Sequence, residues 1–229
     1  MGTSSGGPSA KKGRPLLVKT LEVVVSGAME PDFEEEKRLL SAGFSVIAGV
    51  DEVGRGPLAG PVTAAAVVLR PDQIPEGLAD SKKLSAKRRD YLAEEIRKVA
   101  WVSVAHASVE EIDVLNILRA SHLAMCRAIE GIGLSVDHAL IDGNMIPRDI
   151  KCPATALIKG DGRSVSIAAA SIVAKVVRDR IMVDLAQQHP GYGWEKNAGY
   201  PTKAHRVALE DLGVTPHHRR SFKTVHNML

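Results

Sequence analysis

Three short apolar segments of this chain each run into acidic residues with a glycine close by, and this pattern restricts the possible folds more than any other feature. Segments of this length and composition are typical of buried strands. If the three strands lie side by side with these ends together, four carboxylates meet at one edge of a sheet. The predicted strands and the acids that follow them are 44–50 with Asp51 and Glu52, 138–141 with Asp142, and 154–158 with Asp161.

Such a group of carboxylates is electrostatically unfavourable by itself, because like charges a few ångströms apart repel and some must take up protons. A bound divalent cation removes the conflict, and oxygen donors without His or Cys favour Mg²⁺ or Mn²⁺ over zinc. Two such ions roughly 4 Å apart can activate water and stabilise the leaving 3′ oxygen of a phosphodiester. The alternative is that each acid only forms a turn or caps a helix. One such acid favours that alternative, whereas three strand ends together favour the metal site.

Hydrophobic periodicity predicts an α/β fold around these strands. The first two strands form a predicted hairpin and the later ones alternate with helices, so we expect a mixed sheet with helices on its faces. The other predicted strands are 62–69 and 101–107, and the predicted helices are 31–42, 85–99 from a Ser85 cap, 109–132 with Ser108 and Asn116 as caps, 165–188, and one from a Thr202 cap to residue 212.

The composition excludes several classes of protein. Hydrophobic residues make up 45% of the chain but aromatic residues only 3%, which predicts an aliphatic core. No apolar run approaches the roughly 18–20 residues of a membrane span, and segment 16–25 is too short and too charged for a secretory signal. Cys126 and Cys152 lack metal-site spacing, so free thiols in a reducing, cytoplasmic compartment are favoured over a disulfide. The net charge of +3 permits nucleic-acid binding without indicating it.

Residues 1–30 are rich in Gly and Ser and then basic, and we interpret them as a flexible leader. A basic arm for nucleic acid is the alternative to an inert extension. Residues 31–229 are predicted to form one catalytic domain without internal repeats. Since no heptad seam indicates an oligomer, we expect a monomer.

The acidic residues belong to a longer series of motifs that resembles type 2 ribonucleases H, in particular bacterial ribonuclease HII. The resemblance extends over about residues 46–222, nearly all of the chain outside the leader. Several motifs in the same order are much more specific than the first alone. The matching segments are AGVDEVGRG at 48–56, DSKKL at 80–84, IDVLNI at 112–117, LIDGN at 140–144, KGD at 159–161, AASIVAK at 169–175, RDR at 178–180, GYPT at 199–202 and HHRRSF at 217–222.

The resemblance implies an RNase H-like fold, with a mixed five-stranded sheet flanked by helices and a C-terminal helical extension. It implies an endonuclease that cuts the RNA strand of RNA–DNA hybrids, and cuts 5′ to single ribonucleotides in duplex DNA, leaving 3′-hydroxyl and 5′-phosphate ends. The implied role is ribonucleotide removal in DNA replication and repair. Carried over to this chain, Asp51, Glu52, Asp142 and Asp161 are the catalytic, metal-binding set.

Gly54, Arg55 and Gly56 follow the first acidic pair, and the resemblance assigns to their backbone the recognition of a 2′-hydroxyl, the group that distinguishes RNA from DNA. Glycines allow such close approach because no side chain stands in the way. Arg55 then binds the adjacent phosphate. Tyr200 is implied to stack on the next sugar or base. Without the other motifs, a tight turn with a surface arginine at 54–56 and a packed loop at Tyr200 would be the favoured interpretations.

The remaining candidate contacts are weaker. Ser81, Lys82 and Lys159 are predicted to bind backbone phosphates, with a solvated charge run as the alternative. Ser171 and Lys175, one helical turn apart, are expected to support the site or face the duplex. Asp179 is expected to form a structural salt bridge with Lys175 and Arg178. His205 is expected at the surface, and Leu118 and Met125 in the core. For residues 217–220 a basic tail or a domain-closing role is favoured over a metal site.

Two rival functions remain. One is a different RNase H-like nuclease, such as a junction resolvase, that uses similar acids on DNA alone. The other is a basic duplex-binding module whose acids only cap turns. The pairing of the 54–56 loop with Tyr200 favours the ribonuclease over the junction resolvase, whereas activity with and without Mg²⁺ or Mn²⁺ distinguishes it from the binding module.

Overall fold

The computed structural model describes residues 1, 20–21 and 30–229, so the predicted leader lies almost entirely outside the described residues. The strands are β1 (Thr20–Leu21), β2 (Ile47–Val53), β3 (Val62–Val68), β4 (Trp101–Ala107), β5 (His138–Asp142) and β6 (Ala154–Leu157). They form one sheet in the order β1-β6-β5-β2-β3-β4. β6, β5 and β2 run parallel, whereas β2, β3 and β4 pair antiparallel. The five longer strands confirm the predicted mixed sheet, to which β1 adds two residues at the β6 edge.

The helices within the described residues are α1 (Glu34–Ser41), α2 (Ala86–Val99), α3 (Val109–Leu115), α4 (Ile117–Glu130), α5 (Val165–Gln188), α6 (Trp194–Asn197), α7 (Lys203–Leu212) and α8 (Lys223–His226). The predicted helical region 109–132 is divided into α3 and α4, because the chain turns at Asn116, where φ is +68°. Asn116 acts as the predicted cap: its side chain accepts hydrogen bonds from the backbone N–H groups of Leu118 and Arg119 in the first turn of α4. None of the described helices is long and apolar enough to cross a membrane.

Helices cover both faces of the sheet, and β3 shows how the sequence achieves this. Alternate residues of a strand point to opposite faces. Ala64 and Ala66 pack in a cluster with α4, whereas Ala65 and Val67 pack in a cluster with α2 and α5. All seven residues of β3 are buried, which gives the aliphatic, two-sided core that the composition predicted.

A third apolar cluster joins the C-terminal helices to the loop after β2. It contains Trp194 of α6, Leu209 of α7 and Val225 of α8, packed against Leu58 and Ala59. The predicted C-terminal helical part is therefore confirmed. Its position matters for function, because it lies against the segment that follows the first acidic pair.

Helix α5 approaches β2 so closely that only glycine fits at position 49. A Cβ atom built on Gly49 would lie 2.1 Å from the backbone carbon of Ser166. Since backbone atoms of a sheet and a buried helix cannot move aside easily, a side chain there must separate the two elements.

We therefore expect Gly49→Ala to destabilise the protein by about 3 kcal/mol, at the upper end of overpacking effects. Urea unfolding followed by circular dichroism measures this change. Gly56→Ala is the matched control, because Gly56 is exposed and its added Cβ would meet only the Tyr200 ring, at 3.3 Å. An unchanged urea midpoint for Gly49→Ala would show that the helix can move away from β2 at little cost.

Candidate active site

The four predicted acids lie at one end of the sheet, where the parallel strands have their carboxyl ends. Asp51 and Glu52 are in β2, Asp142 is the last residue of β5, and Asp161 lies in a short 3₁₀ turn just after β6. Because β2, β5 and β6 are parallel neighbours, their carboxyl ends meet. The order of the strands in the sheet thus brings together residues that are up to 110 positions apart in the sequence, from 51 to 161.

The first acidic pair lies inside a strand rather than after it, so the predicted bounds 44–50 were wrong. Pairing of β2 with β5 stops at Val50, but pairing with β3 continues through Asp51, Glu52 and Val53. The acids are therefore held by a strand on one side and open to the site on the other. A backbone that stays in a ladder holds its side chains in a fixed direction, which suits a catalytic position.

The surroundings disfavour the charged form of these acids. Burial, followed by the charges of Asp142 and Glu52, raises the pKa of Asp51 well above its usual range, while a hydrogen bond from Ser171 opposes this. Burial and then Asp142 and Asp80 raise the pKa of Asp161 to about 6. Burial also raises the pKa of Glu52 and of Asp142.

The donor set fits a hard divalent cation in kind, since it consists of carboxylates whose mutual repulsion such an ion would relieve. As the side chains stand, however, no three His, Cys, Asp or Glu residues in the described part of the chain form a group that could hold a metal ion. Other donors engage them: Asp51 Oδ1 accepts from the Glu52 N–H at 2.7 Å, and Asp142 Oδ1 from the Gly160 N–H at 2.7 Å. Side-chain rotation is needed to complete a ligand set.

Basic side chains partly balance these acids. Arg55 donates from Nη1 to Glu52 Oε1 at 3.1 Å, and Lys82 Nζ lies 4.0 Å from Asp161 Oδ2. Arg55, Lys82 and Lys159 are all exposed.

Two buried arginines hold the loop after Glu52 by its carbonyl oxygens. Arg219 donates to Gly54 O at 2.6 Å, to Arg55 O at 3.0 Å and to Gly60 O at 2.9 Å. Arg178 donates to Pro61 O at 3.0 Å and also to the carbonyls of residues 59 and 198. Both arginines stand in recognised motifs, but nothing in the sequence distinguished them from surface or duplex-facing cations, so their role was missed.

The same arrangement explains the glycine at position 54. Gly54 has φ +94°, and a Cβ there would lie 2.1 Å from Arg178 Nε. Gly56 in turn faces the ring of Tyr200, a residue that is 43% exposed. The structure thus brings the 54–56 loop and Tyr200 together, as the motifs predicted.

His205 is buried, so its predicted surface position was wrong. Its side chain lies under Tyr200 in a cluster with Trp194 and His218. Trp194 Nε1–H donates to His205 Nε2 at 3.0 Å, and so His205 Nδ1 carries the proton that it donates to Tyr200 O at 2.9 Å. Burial lowers the pKa of His205 and, together with neighbouring histidines, that of His218 to about 3, which keeps both rings neutral.

This cluster also decides between the interpretations of residues 217–220. His218 and Arg219 are fully buried and pack the C-terminal part onto the domain, which agrees with the domain-closing alternative. Arg220 remains exposed. Met125 is a core residue as predicted, whereas Leu118 is only half-buried.

The two serines expected near the substrate are buried and bonded to each other. Ser81 Oγ lies 2.9 Å from Ser171 Oγ, and each residue is about as buried as the acids above them. Their position favours support of Asp51 over direct phosphate contact. The predicted ion pair of Lys175 with Asp179 is present at 2.7 Å, but Arg178 does not take part in it because its guanidinium binds backbone carbonyls instead.

Both cysteines are free thiols and buried, as expected. Burial raises the pKa of Cys126 and of Cys152 to about 11. Thiols of high pKa are poor nucleophiles and poor metal ligands. Neither residue therefore extends the candidate site.

Comparisons with known proteins agree with one family. The model of the family described as "Ribonuclease HII" matches residues 48–225. A ribonuclease HII of Ruegeria pomeroyi is 70% identical over 203 residues, which cover 89% of this chain and 87% of that protein. The ribonuclease HII of Paracoccus denitrificans is 67% identical over 199 residues, covering 87% of this chain and 95% of the relative.

Solved structures show the same fold. The ribonuclease H2 of Pyrococcus horikoshii matches with a TM-score of 0.67 at 25% identity, covering 80% of this chain and 97% of that one. An Archaeoglobus fulgidus ribonuclease HII, solved in complex with PCNA, matches with a TM-score of 0.67 at 30% identity, covering 80% and 96%. A ribonuclease HIII described in complex with Mn²⁺, at 19% identity, shares the fold with a TM-score of 0.67 and covers 80% of this chain and 68% of its own.

Proposed function

The chain belongs to the ribonuclease HII family and is an endonuclease acting on the RNA of RNA–DNA hybrids. From this premise we propose that it also cuts 5′ to single ribonucleotides embedded in duplex DNA. The proposed mechanism uses two Mg²⁺ or Mn²⁺ ions. The observation that carries the proposal is the meeting of four partly buried carboxylates beside a glycine loop and an exposed tyrosine. Its proposed role is the removal of ribonucleotides during DNA replication and repair.

The proposed ligands of the ions are Asp51, Glu52, Asp142 and Asp161. When bound, divalent ions supply a lowered pKa for an attacking water and charge stabilisation for the leaving 3′ oxygen. The chain itself holds the acids on adjacent strand ends. Ser171 lowers the pKa of Asp51 and so favours its charged form, and the Gly160 N–H fixes one oxygen of Asp142.

Selection of the ribonucleotide is assigned to the 54–56 loop together with Tyr200. Arg219 already binds the carbonyl oxygens of Gly54 and Arg55. The exposed backbone around Gly56 is therefore the part of the loop that can approach a 2′-hydroxyl. Tyr200 then stacks on the neighbouring sugar or base. Arg55, Lys82 and Lys159 bind phosphates on either side of the bond that is cut.

One assay tests the proposal directly. A duplex DNA with a single ribonucleotide, an RNA–DNA hybrid and an all-DNA junction are each incubated with the protein in Mg²⁺, in Mn²⁺ and in EDTA. We expect cleavage of the first two substrates only, with 3′-hydroxyl and 5′-phosphate products, and none in EDTA. Equal cleavage of the junction indicates a DNA nuclease instead, and binding without cleavage in any metal indicates a duplex-binding module.

Tyr200 provides a narrower prediction. Base–aromatic stacking contributes about 1–3 kcal/mol per base, so Tyr200→Ala is expected to lower kcat/KM on a single ribonucleotide roughly tenfold to hundredfold. Tyr200→Phe keeps the ring and should retain most of the activity. Steady-state kinetics on the two variants measure the difference. If Tyr200→Ala cleaves as fast as the unmodified protein, stacking is not part of recognition.

A further inference from the structure

A groove outside the acidic site lies between α4 and the segment that follows β5. Its volume is about 530 Å³. Leu118 and Leu123 of α4 and Ile146 after β5 form an apolar lining, and Arg119 and Arg148 stand on either side. Nothing in the proposed cleavage mechanism uses this groove.

The two arginines are available to a ligand. Both are exposed, and among the described residues neither takes part in a salt bridge. One acid, Asp149, lines the same groove. Two guanidinium groups against one carboxylate leave a net positive charge around an apolar floor, which is complementary to an anion that also has an apolar surface.

The groove adjoins the candidate active site along the chain. Asp142 is the last residue of β5, and the groove wall formed by residues 145–149 begins three positions after it. The other wall is α4, which packs with β5 in one apolar cluster. The groove thus lies next to the strand end that carries one of the four acids.

We propose that this groove binds the sugar–phosphate backbone of the substrate duplex at a distance from the cut bond, with phosphates on Arg119 and Arg148 and sugars against the apolar lining. This proposal rests on the proposed function, because it is the position of the groove next to Asp142 that favours nucleic acid over an acidic segment of another protein. The contact is independent of base sequence and of the 2′-hydroxyl, so it applies equally to duplex DNA without ribonucleotides.

The test measures binding of a fluorescently labelled all-DNA duplex by anisotropy in Mg²⁺ at several salt concentrations. Each phosphate contact that is lost lowers the slope of log Kd against log salt by about 0.9. The double variant Arg119→Gln/Arg148→Gln is therefore expected to bind roughly tenfold or more weakly at low salt, with a slope smaller by about two. Asp149→Asn should bind more tightly than the unmodified protein.

The matched control is Arg97→Gln/Arg180→Gln, which removes the same charge from the opposite face of the sheet, where α2 and α5 pack. It should leave the salt slope unchanged. Kinetics on a single-ribonucleotide duplex complete the test. The groove variant should have a higher KM and an unchanged kcat. When the duplex is shortened from one end, the groove variant and the unmodified protein should have the same KM.

The proposal is overturned if the groove variant binds the duplex like the unmodified protein, or no worse than the control variant; an acidic protein partner then becomes the better explanation of the groove. Failure of the proposed function is a separate result. In that case the unmodified protein does not cut the ribonucleotide substrate, yet duplex binding still reports on the groove.

Discussion

Asp51→Asn is expected to lower the rate of cleavage by at least about 1000-fold while leaving the fold intact. Charge stabilisation by a bound divalent ion contributes several kcal/mol to such a reaction, and each 1.36 kcal/mol changes the rate tenfold. Asn removes the negative charge but keeps the size and one acceptor oxygen. Single-turnover cleavage of a duplex with one ribonucleotide measures the loss.

The same variant should be at least as stable as the unmodified protein when metal is chelated. Asp51 is buried, and burial with the neighbouring acids raises its pKa above the ordinary value of 3.8. Between the unfolded pKa and the higher folded pKa the folded state holds more protons, so stability decreases as pH rises through this window and stays lower above it. Since Asn does not titrate, Asp51→Asn should be more stable than the unmodified protein at pH 7 in EDTA, and this difference in stability should shrink as the pH falls towards 4.

Addition of Mg²⁺ or Mn²⁺ should reverse this order, because an ion that binds only the folded state stabilises it. Thermal unfolding of both proteins with EDTA and with metal tests the reversal. Asp72→Asn is the matched control, since Asp72 is exposed and follows β3 at the opposite edge of the sheet from the acids. Full activity of Asp51→Asn would falsify the proposed metal mechanism.

Arg219→Ala is expected to destabilise the protein by about 3–5 kcal/mol, comparable to the loss of one partner from a buried charged contact. Three carbonyl oxygens, of Gly54, Arg55 and Gly60, lose their donor together. Each buried acceptor left without a partner costs about 1–3 kcal/mol. Urea unfolding measures the change, and Arg220→Ala, a substitution of the exposed neighbour, should have no comparable effect.

Arg219→Lys separates folding from function. Lysine keeps the charge but lacks the planar fork that reaches several carbonyls at once. We expect a folded protein of intermediate stability in which the 54–56 loop is less well held, so that kcat/KM on a single ribonucleotide decreases about tenfold or more, as small displacements of positioning groups do. If Arg219→Ala has the urea midpoint of the unmodified protein, the loop does not depend on this arginine.

Much of the fold was predictable from local patterns. The apolar segments before residues 51, 142 and 161 predicted strands, and Ser85, Ser108, Asn116 and Thr202 predicted helix starts, because a capping side chain needs only its own neighbours in the chain. The bounds of β2 were less predictable. They depend on β3, which continues to pair with β2 after β5 has ended.

The candidate site, like the fold, was only partly predictable from the sequence. Asp51, Glu52, Asp142 and Asp161 were predicted as candidates from their place after apolar runs and from the family motifs. Their protonation was not predictable, because the pKa of each depends on burial and on acids from other strands. His205 is the clearest error: the pattern of α7 placed it on the surface, yet contacts with Trp194 and His218 bury it under Tyr200.

The sequence by itself determined which residues supply charge, which segments form strands and helices, and which family the motifs resemble. Only the tertiary structure decided that three parallel strand ends meet, that Arg178 and Arg219 turn inwards to backbone carbonyls, and that a groove flanked by Arg119 and Arg148 lies between α4 and the segment after β5. The physical reason is range. Periodicity and caps act between residues a few positions apart, whereas burial, repulsion between acids and the choice of partner for a cation are set by atoms that are close in space and distant in sequence.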